Sequence, residues 1–211
     1  MTMTSALLSF AVVAALLTIT PGLDTALVLR SALVQGRRLA IATSLGIISG
    51  AFVWGVAAAV GLAALLRASD VAFAILKIVG AGYMIFLGAR MLWTRVFRPR
   101  PAEAALVDRL PRHWWGAFGK GLLTNLLNPK VGAFYVAVLP QFLPTGVNEL
   151  LMGVLLAGVH GVETAAWFTL IIFGAHSVRR WLERPVVSRA IDGVTGTALV
   201  GFGVALAVSH D

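Results

Sequence analysis

Apolar residues run along this chain in six long stretches, with no strict alternation of apolar and polar positions. They extend from about Ser5 to Leu29, Leu39 to Leu66, Val71 to Trp93, Gly116 to Phe142, Leu150 to Phe173, and Val186 to Val208. A helix that crosses a bilayer needs roughly 20 predominantly apolar residues. Backbone polar groups in hydrocarbon must be satisfied internally, which leaves helices or a closed barrel. A barrel strand alternates apolar and polar residues, and these stretches do not. The predicted fold is therefore all-α: a polytopic membrane protein with six transmembrane helices. The N-terminal stretch lacks a basic region and an evident small-residue cleavage site, so it is expected to be retained as the first span.

Two of the six stretches contain a polar interruption centred on proline. The first carries Thr20-Pro21-Gly22-Leu23-Asp24, and the fourth carries Asn125-Leu126-Leu127-Asn128-Pro129-Lys130. Proline removes a helical hydrogen bond and clashes with the carbonyl four residues earlier, here that of Leu17 or Asn125. A good N-cap residue, Thr20 or Asn128, stands directly before each proline. A cap followed by proline at the first helical position signals a helix start. Each span is thus expected to stop and restart inside the membrane. A restart exposes unpaired amides and a partial positive charge of about half a unit. Discontinuous helices of this kind mark the solute site of many secondary transporters. A single Pro-Gly would read as a plain kink, but here two breaks occupy corresponding positions with ionisable residues beside them.

That correspondence extends to the whole chain. The breaks fall in the first spans of two three-helix halves, about residues 1–93 and 116–208, joined by a linker at 94–115. Three spans per half invert one half relative to the other. Gly46 and Gly50 in span two match Gly158 and Gly161 in span five, and spans three and six both carry glycine-rich faces. The expectation is one transporter domain over residues 1–211, built as two inverted three-helix repeats.

Charge adds a direction. The protein has 211 residues, of which 17 are Lys or Arg, and a net charge of +8. All the basic residues except Arg67, Lys77 and Lys130 cluster in the connections after spans one, three and five. The positive-inside rule makes those loops (30–38, 94–115 and 174–185) cytoplasmic and puts both termini outside. The basic balance therefore reports topology and not nucleic-acid binding. Only 12% of residues are charged, against about 25% in soluble domains. There is no cysteine, so thiolate metal sites and disulfides are excluded.

Charged groups within a span are costly and ask for a reason. Asp24 could bind an amine or carry a proton. Lys130 could pair with Asp24 or receive a carboxylate. Glu163 lies in the middle of span five with His160 three residues earlier on the same face, and both are proton-carrier candidates alongside Asp24. The expected substrate site comprises Thr20, Pro21, Gly22, Asp24, Asn125, Asn128, Pro129 and Lys130. Lys77 lies near a span end and is expected to snorkel outward.

The motifs now permit a comparison. Thr20-Pro21-Gly22-x-Asp24, Gly46-x-x-x-Gly50, Lys77-x-x-Gly80-x-x-Tyr83 with Gly88, Asn125-x-x-Asn128-Pro129-Lys130 and Leu139-Pro140-Gln141-Phe142 resemble the LysE/RhtB family of small amino-acid exporters along essentially the whole chain. The resemblance implies export of amino acids or close derivatives across the bacterial cytoplasmic (inner) membrane, driven by the proton gradient. No enzymatic activity, metal or cofactor is expected, since the length leaves no sizeable soluble region beside the spans and the chain has no cysteine. The partners expected are the amino acid and membrane lipid, without nucleic acid, and a homo-oligomer is compatible. The family commonly has a second proline where this chain has Leu23.

Two other functional classes have less support in the residues. A rhomboid-like hydrolase would need Ser49 and His160 within hydrogen-bond reach, and the local Gly-Ile-Ile-Ser-Gly departs from the usual nucleophile motif. A metal-ion exporter would want thiolates or several imidazoles, and the four histidines are scattered. No G-x-x-x-x-G-K-[ST] loop supports ATP-driven transport.

Overall fold

The computed structural model describes residues 2–68, 70–97, 110–144, 146–182 and 184–208. Arg98, Arg100 and Arg109 of the expected linker lie outside the described residues, as do the side chains of Lys77 and Arg179. Among the described residues the chain is helical throughout, without strands. The helices are α1 (Met3–Ile19), α2 (Leu23–Val34), α3 (Arg37–Ala68), α4 (Asp70–Phe97), α5 (Trp114–Leu126), α6 (Pro129–Val138), α7 (Glu149–Phe173), α8 (Ala175–Leu182) and α9 (Pro185–Val208). A 3-10 turn, Leu139–Phe142, follows α6.

Each predicted apolar stretch is helical. The part of α3 from Arg37 to Gly61 and the whole of α7 are each long and apolar enough to cross a membrane, and α1 with α2 does so as a pair bent by 55°. Large apolar side chains face outward along the helices, among them Leu8, Val12, Val53, Ile78, Phe86, Val162 and Leu170. A soluble monomer rarely exposes so much contiguous apolar surface. The protein is a membrane protein. Gly36, in the left-handed region at φ 85°, turns the chain from α2 into α3. Helix α8 was not anticipated from the apolar pattern, because its short Ala-His-Ser-Val-Arg-Arg-Trp-Leu run is polar on average.

Helix α3 is the central post, packed on α5 along one face and α7 along another. Glycine makes the first contact close. A β-carbon on Gly46 would collide with the Phe118 carbonyl, and one on Gly121 with the Thr43 carbonyl, so the two backbones touch. Helices α4 and α9 form a second close pair, in which a β-carbon on Gly88 would lie 2.6 Å from the Gly196 carbonyl. Small residues permit such approach where apolar burial gives no drive for helices to associate.

Two apolar clusters flank a polar layer. The first joins Phe10 of α1, Phe134 and Tyr135 of α6, Phe142, and Met152 and Leu156 of α7. Phe10 meets Phe142 edge-on at 5.5 Å between ring centroids. The second joins Val28 of α2, Ile47 of α3, and Phe168, Ile171 and Ile172 of α7. Thus α1 belongs to one cluster and α2 to the other, and the break at Thr20-Pro21-Gly22 falls between them. On α7 the stretch between the clusters carries His160 and Thr164, both buried.

The close α3–α5 contact predicts a contrast between two glycines of one helix. Gly121→Ala should lower thermal stability by about 1–3 kcal/mol through overpacking. Gly119→Ala, where an added β-carbon meets nothing within 4 Å, should be neutral or slightly stabilising. Thermal unfolding in detergent followed by size-exclusion chromatography measures both, and equal behaviour of the two variants would refute the contact.

Candidate functional site

The two breaks differ in construction. Proline disfavours helical geometry in the residue before it, and Thr20 and Asn128 are both extended, with ψ of 114° and 108°. After Pro129 the chain is helical at once. Asn128 caps α6, its Oδ1 accepting from the Lys130 amide at 3.1 Å, with Pro129 in the first turn. That restart has the cap-plus-proline form expected from the sequence.

The first break does not. Gly22 is also extended, so α2 begins only at Leu23 and Gly22 is its N-cap, without a side-chain hydrogen bond. Thr20 is instead the C-cap of α1, and its hydroxyl donates back to the Leu16 carbonyl at 2.6 Å. The expectation that Thr20 caps the second half-helix is corrected. An extended glycine after the proline carries the helix start out of the threonine's reach. The consequence is an α2 terminus whose first-turn amides no side chain caps. Leu23 opens α2 without a second proline.

Lys130 reaches from the second break to the first. Its ammonium donates to the carbonyls of Leu17, at 3.2 Å, and Thr20, at 3.0 Å. These sit at the negative end of α1, where a cation is favoured. Leu17 is the residue whose carbonyl Pro21 deprives of its helical partner. The same ammonium packs on Gly22, where an added β-carbon would lie 3.2 Å away.

Asp24 stands in the first turn of α2 and faces the other broken span. Its Oδ2 accepts from Asn125 Nδ2 at 2.8 Å, and Asn128 and Lys130 also act on the carboxylate. Side chains from both breaks therefore converge. They line a cavity of about 30 Å³ with Thr20, Gly22, Asp24, Asn125, Lys130 and His160 on its wall. Pro21, Asn128 and Pro129 are not on that wall: the prolines act through the backbone they shape, and Asn128 through its cap of α6 and its side chain beside Asp24. The volume admits water and not an amino acid, so any larger solute requires the helices around it to part.

Among the described residues, four polar atoms on this cavity are buried without a hydrogen-bond partner: Thr18 Oγ1, Asp24 Oδ1, Asn125 Oδ1 and Thr164 Oγ1. Buried polar atoms are nearly always bonded, so their grouping marks a place open to a polar ligand, with Asp24 Oδ1 and Asn125 Oδ1 able only to accept and the two threonine hydroxyls able to do either. Among the described residues no group of three His, Asp or Glu side chains could hold a metal ion.

Glu163 is not part of this site. It borders an outward-facing groove between α3 and α7, lined by Phe52, Val154 and Val162, while His160 one turn earlier lines the inner cavity. The reading that put both on one face is corrected. Residues three apart are separated by about 60° around a helix, so His160 borders the cavity between the breaks and Glu163 the groove, where its Oε2 is buried. The Ser49–His160 dyad does not form either: Ser49 donates to the Leu45 carbonyl at 2.9 Å, and His160 is bonded to Tyr135.

Residues without a motif also join the site. Thr195 of α9 is buried and lies 2.6 Å from Thr20 Oγ1. Thr20's hydrogen goes to Leu16, so Thr195 donates. Tyr83 of α4 places its hydroxyl 3.5 Å from the Pro129 carbonyl. The α4–α9 pair thus touches one break with each helix. Isolated threonines in apolar helices carry no sequence signal of such a role, although Tyr83 falls within the Lys77-x-x-Gly80-x-x-Tyr83 pattern.

The chain is similar along most of its length to known membrane proteins. Residues 15–210 match the family model described as LysE type translocator. The threonine efflux protein of Escherichia coli (strain K12) is 31% identical, covering 90% of this chain and 91% of that protein. The leucine efflux protein of Enterobacter sp. (strain 638) is 28% identical over 96% of this chain and 95% of its own length. The uncharacterized membrane protein YrhP of Bacillus subtilis (strain 168) is also 28% identical, over 96% of this chain and 99% of its own length. No solved structure matches.

The Thr195–Thr20 bond is testable independently of any solute. Thr195→Val should cost about 0.5–1.5 kcal/mol of stability, whereas Thr197→Val, whose hydroxyl bonds only within its own helix to Gly193, should cost less. Chemical or thermal unfolding of the two variants checks the order, and a larger loss at Thr197 would contradict it.

Proposed function

The chain belongs to the LysE type translocator family, and from that premise we propose that it is a secondary transporter exporting amino acids or close derivatives across the bacterial cytoplasmic membrane. The observation that carries the reading is the pair of unpartnered acceptors, Asp24 Oδ1 and Asn125 Oδ1, one from each broken span, on a shared cavity. An ammonium group has three donors and fits such acceptors. The uncapped amides that open α2 offer the complementary positive end for a carboxylate. A zwitterion satisfies both. The threonine and leucine efflux relatives support a substrate of this class.

In this mechanism six spans form two inverted three-helix halves, residues 1–93 and 116–208, linked by residues 94–115. The basic connections are cytoplasmic and both termini lie outside. The cavity is too small for the solute as it stands, and export proceeds by alternating access as the α4–α9 pair moves against the α3–α5–α7 scaffold, making and breaking its contacts with the two breaks. Asp24 carries the coupling proton. It holds the solute ammonium when ionised and releases it on protonation from the outer side. Lys130 keeps the end of α1 satisfied throughout, so the carboxylate role considered for it passes to the α2 terminus. Glu163, outside the cavity, takes no part.

Asp24→Asn should reduce uptake of radiolabelled threonine and leucine into everted vesicles by more than about tenfold, the scale expected for losing a hydrogen bond to a charged group. An uncoupler should abolish uptake by the unaltered protein. Normal transport by a folded, inserted Asp24→Asn variant would sink the assignment of Asp24, and uptake indifferent to the uncoupler would sink the proton coupling.

A further inference from the structure

Tyr135 is wholly buried, and its hydroxyl lies 2.8 Å from His160 Nδ1. Among the described residues neither group has another hydrogen-bond partner. A phenol has one hydrogen to donate, and a neutral imidazole has one N–H and one bare nitrogen. If Nδ1 carried a hydrogen, the phenol would be the acceptor and its own hydrogen would be buried with nothing to receive it. Such orphaned hydrogens are rare. Tyr135 is therefore the donor, Nδ1 is bare, and the ring hydrogen sits on Nε2. The ring is packed against Phe134 and Tyr135, with centroids 5.7 and 5.6 Å away, which holds its orientation.

Nε2 has no acceptor within the described protein, and the ring lines the cavity between the breaks. The other nitrogen donors of the cavity side chains are engaged: Lys130 with Leu17 and Thr20, and Asn125 with Asp24. Among the described residues His160 is thus the cavity's side-chain N–H with no acceptor. We propose that His160, oriented by Tyr135, donates a hydrogen bond from Nε2 to the carboxylate of the exported amino acid, opposite the acceptors that take the ammonium. The assignment rests on the export reading above and adds a specificity device to it. A site built to hydrogen-bond one substrate group discriminates against an analogue that lacks it. Amines without a carboxyl group are then poor substrates. Tyr135 is a positioning residue, acting only through the ring.

Two independent readouts test this on the full-length protein in lipid. Solid-state nitrogen NMR of histidine-labelled protein should find His160 as the Nε2–H tautomer with a bare Nδ1, and Tyr135→Phe should remove that bias. An Nδ1–H ring in the unaltered protein overturns the proposal. In everted vesicles with labelled threonine and leucine, His160→Gln, whose amide nitrogen reaches about as far as Nε2, should keep KM within about threefold. His160→Asn, which reaches only as far as Nδ1, should raise KM about tenfold, the cost of one hydrogen bond to a charged acceptor. 1-Amino-2-propanol and isoamylamine, which lack the carboxyl group, should compete weakly against the unaltered protein and no more weakly against His160→Asn. Equal KM values for the Gln and Asn variants overturn the carboxylate contact. Unaltered protein that has the Nε2–H ring but transports neither amino acid overturns the export reading, and the contact with it, while leaving the ring orientation standing.

Discussion

Lys130 donates to two carbonyls at the end of α1, and the polar interior is arranged around that interaction. Pro21 leaves the Leu17 carbonyl without its helical amide. In water the loss would be trivial. In a membrane an unpaired carbonyl costs several kcal/mol, so the partner must come from the protein. A cation suits both the carbonyls and the negative end of the helix. Because that cation comes from the second broken span, the two interruptions are held together, and Asp24 and Asn125 are brought within hydrogen-bond distance.

The apolar structure supports this by leaving a gap in the right place. Phe10, Phe142 and Leu156 close one side, and Val28, Ile47 and Phe168 close the other. The breaks, His160 and Thr164 occupy the layer between. Backbone contact at Gly46 and Gly121 keeps α3 and α5 rigid, while α4 and α9 adhere to each other through Gly88 and Gly196. Among the described residues the α4–α9 pair reaches the two breaks through the hydroxyls of Thr195 and Tyr83.

Much of this was legible along the chain. The helical stretches, both interruptions, and the convergence of Asp24, Asn125 and Lys130 follow from hydropathy, proline chemistry and the cost of intramembrane charge. The Asn128 cap was legible because it is decided within three residues. The Thr20 cap was misread because the conformation of Gly22 governs where α2 can begin, and glycine leaves that choice to its surroundings. Glu163 was misplaced for a related reason. A three-residue spacing assigns two side chains to neighbouring faces, but the packing of α3 on α7 sets which face turns inward.

The sequence by itself determined that this is a helical membrane protein with two helix breaks and polar residues beside them, because those properties depend on residue type and local backbone chemistry. Only the tertiary structure decided what each polar group does. Lys130 serves the end of α1, Thr195 bonds Thr20 across 175 positions, and Tyr135 orients His160. These pairings join residues far apart in the chain, and no local pattern encodes them. They arise because a buried donor in an apolar interior must find whichever acceptor the packing brings near.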